Sequence, residues 1–214
     1  YLYILLFPAA AHVPANSDER DRLSSALNAK ARIAIVSPVN RRQILVAENS
    51  PSYSFIVGGH LYGSAAIHRS VYPSSSLIGS VRKLSALNAA FFISTGDNYR
   101  NPTPREIELF RASFIDRLAI PLFIAPGNHD FPHSDIYKRE FGPAYSSFKM
   151  RSELFILLNT EFPNGDIIGT QKSFLLQTLQ TAKSDPTIKN IFILQVQQLE
   201  DWTGTPTLGV EISF

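Results

Sequence analysis

The sequence predicts an α/β fold, on three observations. Short continuous apolar runs at residues 53–57, 90–94 and 121–125 read as strands buried on both faces. Amphipathic helical stretches alternate with them, as in sheets whose two faces are both covered. Each run ends in a turn that carries glycine and polar residues. In sheets of this kind ligands bind at the carboxyl ends of the strands, so the three turns are expected to meet in space.

The elements follow in order. Residues 1–13 form an apolar stretch of signal-peptide or anchor character, too short to span a bilayer, which takes about 20 apolar residues. A buried first strand or helix is the structural alternative. The first residue is Tyr1, which suggests a processed or incomplete chain. Residues 14–30 are polar, with a helix start at Asn16-Ser17-Asp18-Glu19 and Leu23, Ala26 and Leu27 at helical spacing. The expected organisation is therefore an N-terminal segment and connector, 1–30, followed by one domain, 31–214. Residues 31–37 and 43–47 read as strands around the turn at Pro38-Val39-Asn40.

Ser74-Ser75-Ser76 caps a helix that places Leu77, Ile78, Val81, Leu84 and Leu87 on one face. A second helix begins with Thr103 as its cap, Pro104 in the first position and Glu106 in the third, and turns Ile107, Phe110, Phe114, Ile115 and Leu118 inward. Residues 145–149 and 153–160 read as a hairpin of strands. Residues 170–183 read as a helix burying Phe174, Leu175, Leu179 and Ala182. Residues 188–196 and 207–214 read as further strands.

Composition narrows the function. Of the 214 residues, 44% are hydrophobic and 18% charged, with a net charge of +2, which suits one folded core. Arg41-Arg42 is the nearest thing to a basic cluster, too little for a nucleic-acid footprint. With no cysteine, a thiolate nucleophile, a thiolate metal site and disulfides are excluded. Any metal must be held by His, Asp, Glu, Asn or backbone oxygen.

The three turns are Gly59-His60-Leu61-Tyr62-Gly63, Gly96-Asp97-Asn98 and Gly127-Asn128-His129-Asp130. Asp97 can bind or bridge metal, and Asn128 can offer its amide oxygen. His129 can serve a leaving-group oxygen as general acid, with Asp130 orienting it. Taken singly, each is an ordinary turn or a hydrogen-bonded structural histidine. The spacing adds weight, with 37 residues from His60 to Asp97 and 31 from Asp97 to Asn128. Each gap is one strand–helix unit, which places all three turns on the same edge.

Gly96-Asp97-Asn98 followed by Gly127-Asn128-His129-Asp130 resembles the calcineurin-like metallophosphoesterases, and so does the strand pair after residue 145. The resemblance spans roughly residues 52–196. It implies a four-layer α/β/β/α sandwich with a dinuclear metal site at the strand ends. It also implies that Asp97 bridges two metals, that Asn128 binds one of them and that His129 assists phosphate transfer. The chain departs from the family pattern in its first turn, where His60 stands in the place of an Asp ligand and Tyr62 in the place of a His. Later, Gln195-Val196-Gln197-Gln198 occupies the place of the family's histidines, and no His follows His133. Glu200 and Asp201 are the acidic residues near that point.

His60, Asp97 and Asn128 are thus enough for one ion and few for two. The expected cofactor is a divalent metal (Mn, Fe, Zn or Mg), as one or two ions. Arg100 can clamp a phosphate, with an ordinary salt bridge as the plainer role. Arg69, His68 and His133 offer further contacts, with surface placement as the plainer reading for the histidines. The expected function is metal-dependent hydrolysis of a phosphoester of unknown class. The alternative is a catalytically inactive member of the same fold with a binding or structural role. The N-terminal stretch points to an exported or membrane-anchored protein, with membrane association through that segment; a cytoplasmic location stays open.

Overall fold

A computed structural model of the chain describes residues 5–6, 34–46, 50–63, 73–130, 134–160, 166–196, 199–200, 206–207 and 210–213. The first half runs β1 (Leu5–Leu6), β2 (Ile56–Gly58), α1 (Ser75–Ala86), β3 (Phe92–Ser94), α2 (Pro104–Phe110), β4 (Leu122–Ile124) and α3 (Ser134–Phe141). The second runs β5 (Ser146–Met150), β6 (Glu153–Leu157), α4 (Gly169–Ser184), β7 (Asn190–Leu194), β8 (Leu199–Glu200), β9 (Pro206–Thr207) and β10 (Val210–Ser213). One sheet has the order β1-β2-β3-β4, another β10-β7-β6-β5, and β8 pairs with β9. Strands β2, β3 and β4 are parallel, with Ile56, Phe92 and Leu122 in register. Strands β6 and β7 are also parallel.

The alternation of strand residues fixes what each face meets. Ile56, Phe92, Leu122 and Ile124 join a core with Leu77, Val81 and Leu84 of α1, Ile107 and Phe110 of α2, and Tyr137 and Phe141 of α3. Phe55, Val57, Phe91, Ile93 and Phe123 face the other way, into a core shared with Phe155, Leu157, Phe192 and Leu194 of the second sheet. Aromatic rings carry that contact. Phe155 meets Phe55 edge-on at 5.1 Å and stacks on Phe192 at 5.0 Å. On its far face, the second sheet packs Leu154 and Ile156 against α4 through Phe174, Leu175, Leu179 and Ala182. The described residues thus form a mixed α/β protein with two four-stranded sheets, one two-stranded pair and four α-helices.

Tyr53, just before β2, donates a 2.9 Å hydrogen bond to buried Glu153 at the start of β6. The beginnings of the parallel strands in both sheets therefore share one end of the molecule. Their carboxyl ends share the other, which is where the polar turns lie.

Helix starts follow the sequence closely. Ser74 accepts from the Leu77 amide, and Thr103 from the Glu106 amide. Glu106, however, accepts from the Asn101 amide, two residues further back than a reciprocal cap. After Phe110 the helix widens into a π-helical turn, Arg111–Ile115, that keeps Phe114 and Ile115 buried. Leu87 falls just past the end of α1 and is 42% exposed, contrary to expectation. Helix α3 buries Tyr137 and Phe141 and packs Ile136 against the same core.

Of the two strands expected around residue 40, the described part, residues 34–46, forms one bridge, Val36 to Gln43. That segment instead covers the outer edge of β4. The Ser37 hydroxyl donates to the Leu122 carbonyl, the Asn40 amide donates to the Ile120 carbonyl at 2.9 Å, and its oxygen accepts from the Leu122 amide. Apart from β1, which pairs antiparallel with β2, the N-terminal segment and its connector lie outside the described residues. Among the described residues no helix is long and apolar enough to cross a membrane.

Candidate metal and phosphate site

The turns after β2, β3 and β4 do meet, and backbone hydrogen bonds fasten them. The His60 amide donates to the Gly96 carbonyl at 3.0 Å, and the Tyr62 amide to the Asp97 carbonyl at 3.2 Å. His60, Gly96 and Asp97 all have left-handed backbones, with φ of 52°, 89° and 56°. For the two non-glycine residues this costs on the order of 1 kcal/mol each, so surrounding contacts must hold them. Glycine is required where the turns touch. A side chain on Gly96 would sit 2.5 Å from the Gly127 nitrogen, and one on Gly127 would run into the Asp97 carboxylate.

Asp130 is the fastener. Its fully buried carboxylate accepts from the Asp97 amide at 2.7 Å, the Asn98 amide at 2.9 Å, the Asn98 side chain at 3.0 Å and the Gly127 amide at 2.9 Å. Burial pushes its pKa up to about 6, against the pull of these donors toward the charged form. This differs from the role expected of Asp130, because its carboxylate is committed to the turns. His129 is oriented instead by the Arg100 carbonyl, 2.9 Å from Nδ1. Asn98, itself buried, completes the clamp by accepting from the Ser94 hydroxyl at 2.6 Å. Sequence reasoning missed this role of Asn98, whose only signal was its place beside Asp97.

Around that frame stand the groups able to do chemistry. His60 Nδ1 lies 3.0 Å from Asp97 Oδ2, and the hydrogen bond between them raises the His60 pKa. The other Asp97 oxygen accepts from the His129 amide at 3.3 Å. Tyr62 brings its hydroxyl to 3.3 Å from His129 Nε2, and burial raises its pKa. Asn128, next to His129 in the chain, is exposed. Arg100 lends its carbonyl to His129, and its positive charge acts on Tyr62. The structure thus joins His60, Asp97, His129 and Asp130 in one network, with Tyr62 added.

The same rim of the second sheet is different. Asn159 exchanges two hydrogen bonds with the Gln171 side chain, at 2.9 and 2.7 Å, and Gln195 is buried nearby at the end of β7. His68, Arg69, His133, Gln197, Gln198, Asp201 and the Glu200 side chain lie outside the described residues.

A family model described as calcineurin-like phosphoesterase matches residues 67–204, more than half of the chain. The chain belongs to the calcineurin-like phosphoesterases. The match begins after the first turn, so the departures at His60 and Tyr62 precede it. A probable glycerophosphodiester phosphodiesterase of Arcobacter nitrofigilis is 29% identical over 130 residues, 61% of this chain and 44% of that protein. The chain therefore spans less than half the length of that relative.

Calcineurin-like phosphoesterases generally use divalent metals, and the donors here can be tested against one. Two ligands about 2.1 Å from one small cation and at right angles to each other stand about 3.0 Å apart. The His60–Asp97 separation is 3.0 Å, which suits such a pair. Among the described residues no group of three or more His, Cys, Asp or Glu side chains is arranged so as to hold a metal ion. His60 and Asp97 are thus the two described side chains that such an ion could take together.

Proposed function

We propose that the chain hydrolyses a phosphoester with one divalent cation held by His60, Asp97 and Asn128. The observation that carries this reading is the 3.0 Å approach of His60 to Asp97 on the rim that also presents His129. When bound, the ion would polarise a phosphoryl oxygen and lower the pKa of a water molecule. The protein's own residues set the rest. Asp130 holds the Asp97 and Gly127 turns at a fixed separation, so the donors need no rearrangement to act. His129 meets the leaving oxygen through Nε2, which must carry a proton to act as the acid, since Nδ1 is committed to the Arg100 carbonyl. The charge of Arg100 beside Tyr62 favours an anionic group in the cleft.

The same reading takes the fold to be the four-layer α/β/β/α sandwich, a view supported by three successive hydrophobic cores. The name of the Arcobacter relative makes a phosphodiester the first substrate class to try. Export or membrane attachment through residues 1–13 belongs to the proposal and is supported by their apolar character. One observation favours an inactive protein instead, namely that the Tyr62 hydroxyl covers the His129 nitrogen that would meet substrate.

Hydrolysis of bis(p-nitrophenyl) phosphate by the full chain, with and without Mn²⁺, separates the two. The expected result is turnover only with metal, reduced roughly a hundredfold or more by Asp97→Asn. No turnover with Mn²⁺, Zn²⁺ or Mg²⁺ on either a diester or a monoester would establish the inactive reading.

A further inference from the structure

We propose that Tyr62 is a positioning residue for His129, holding its imidazole in the Nδ1–H tautomer and standing at its only cleft-facing nitrogen. This deepens the hydrolase reading and rests on it for its catalytic consequence, though not for the pairing itself. The other side of the ring fixes the tautomer. His129 Nδ1 lies 2.9 Å from the Arg100 carbonyl, which can only accept a hydrogen bond, so Nδ1 carries the hydrogen. In the neutral ring Nε2 is then an acceptor, and the Tyr62 hydroxyl, 3.3 Å away, donates to it.

The contact is more than one bond. The two rings lie 4.8 Å apart at 46°, and Tyr62 also meets the His60 ring edge-on at 6.1 Å. Tyr62 therefore stands between the two imidazoles of the site. Its backbone leaves it little freedom, because its amide donates to the Asp97 carbonyl and it forms a bridge with Pro73. A tyrosine held in this way cannot wander. It can hold its neighbour still. A substrate oxygen that is to reach His129 must meet or displace that hydroxyl, so Tyr62 governs both the aim of His129 and access to it.

Long-range ¹H–¹⁵N correlation on ¹⁵N-labelled full-length chain reads the tautomer directly, with the His129 signals assigned by their loss in His129→Gln. The expected wild-type pattern is a protonated Nδ1 and an unprotonated Nε2. In Tyr62→Phe, which keeps the ring and its packing, the Nε2 signal is expected to shift as its donor is lost. A wild-type Nε2–H tautomer, or a Tyr62→Phe spectrum unchanged at His129, overturns the proposal. In the diester assay, Tyr62→Phe is expected to lower kcat roughly tenfold, the effect of one orienting hydrogen bond, with KM within about twofold. An unchanged kcat overturns the catalytic part. A wild-type chain with the expected tautomer but no turnover refutes the hydrolase reading and leaves the pairing supported.

Discussion

The carboxyl ends of the two sheets lie on one rim but are built from different chemistry. On the first sheet, two aspartates and two histidines are bound into one network by turns with left-handed backbones. On the second, the described residues are the uncharged Asn159, Thr160, Gln171 and Gln195. A carboxylate or imidazole can hold a cation or serve a proton, whereas an amide or hydroxyl can orient a polar group without doing either. Among the described residues, then, the groups able to hold a cation or serve a proton stand on the first sheet, and those of the second can orient a polar group.

The sharpest way to break that contrast is to cut the fastener of the first rim. Asp130→Ala leaves four buried N–H donors without their acceptor, each worth roughly 1–3 kcal/mol, so a stability loss of about 3 kcal/mol or more is expected in urea titration. A loss below about 1 kcal/mol would mean that the turns hold themselves. The matching change on the second rim, Gln171→Ala, removes two hydrogen bonds to the Asn159 backbone and is expected to cost about 1–2 kcal/mol. Activity should stay within about twofold of wild type. A collapse of activity there with stability intact would show that the second rim takes part in the chemistry.

The smallest effect concerns pH. Asp97 raises the His60 pKa above 6.5, so the pair's contribution to stability is complete below that value and is lost as pH rises through the folded one. His60 is 65% exposed, and solvent screening limits the contribution to under about 0.5 kcal/mol. His60→Gln is expected to remove only this shallow dependence, which paired thermal melts across the interval would detect. A steep remaining slope would place the pH sensitivity elsewhere in the network.

How much of this was legible in the sequence depended on whether a residue's role was local. Strands β2, β3 and β4 could be read because their apolar runs are buried on both sides, and α1 because Ser74 caps a clean helical stripe. The meeting of the three turns followed from strand order alone. The tasks of the side chains within them did not. Asp130 sits beside His129 in sequence, yet its carboxylate points back to turns some thirty residues away. Tyr62 could be read as a missing ligand but not as a partner of His129, because that contact joins turns 67 positions apart. Likewise, Ser37 reads as the end of a strand and Asn40 as part of the turn after it, while their hydrogen bonds go to the edge of β4.

The number of Mn²⁺ ions bound per chain, measured by equilibrium dialysis with metal analysis at saturation and again on Asp97→Asn, tests the one-sided site most directly. The account predicts one ion for the wild type and a loss of that ion in the variant. Two ions, or one that survives Asp97→Asn, would contradict it.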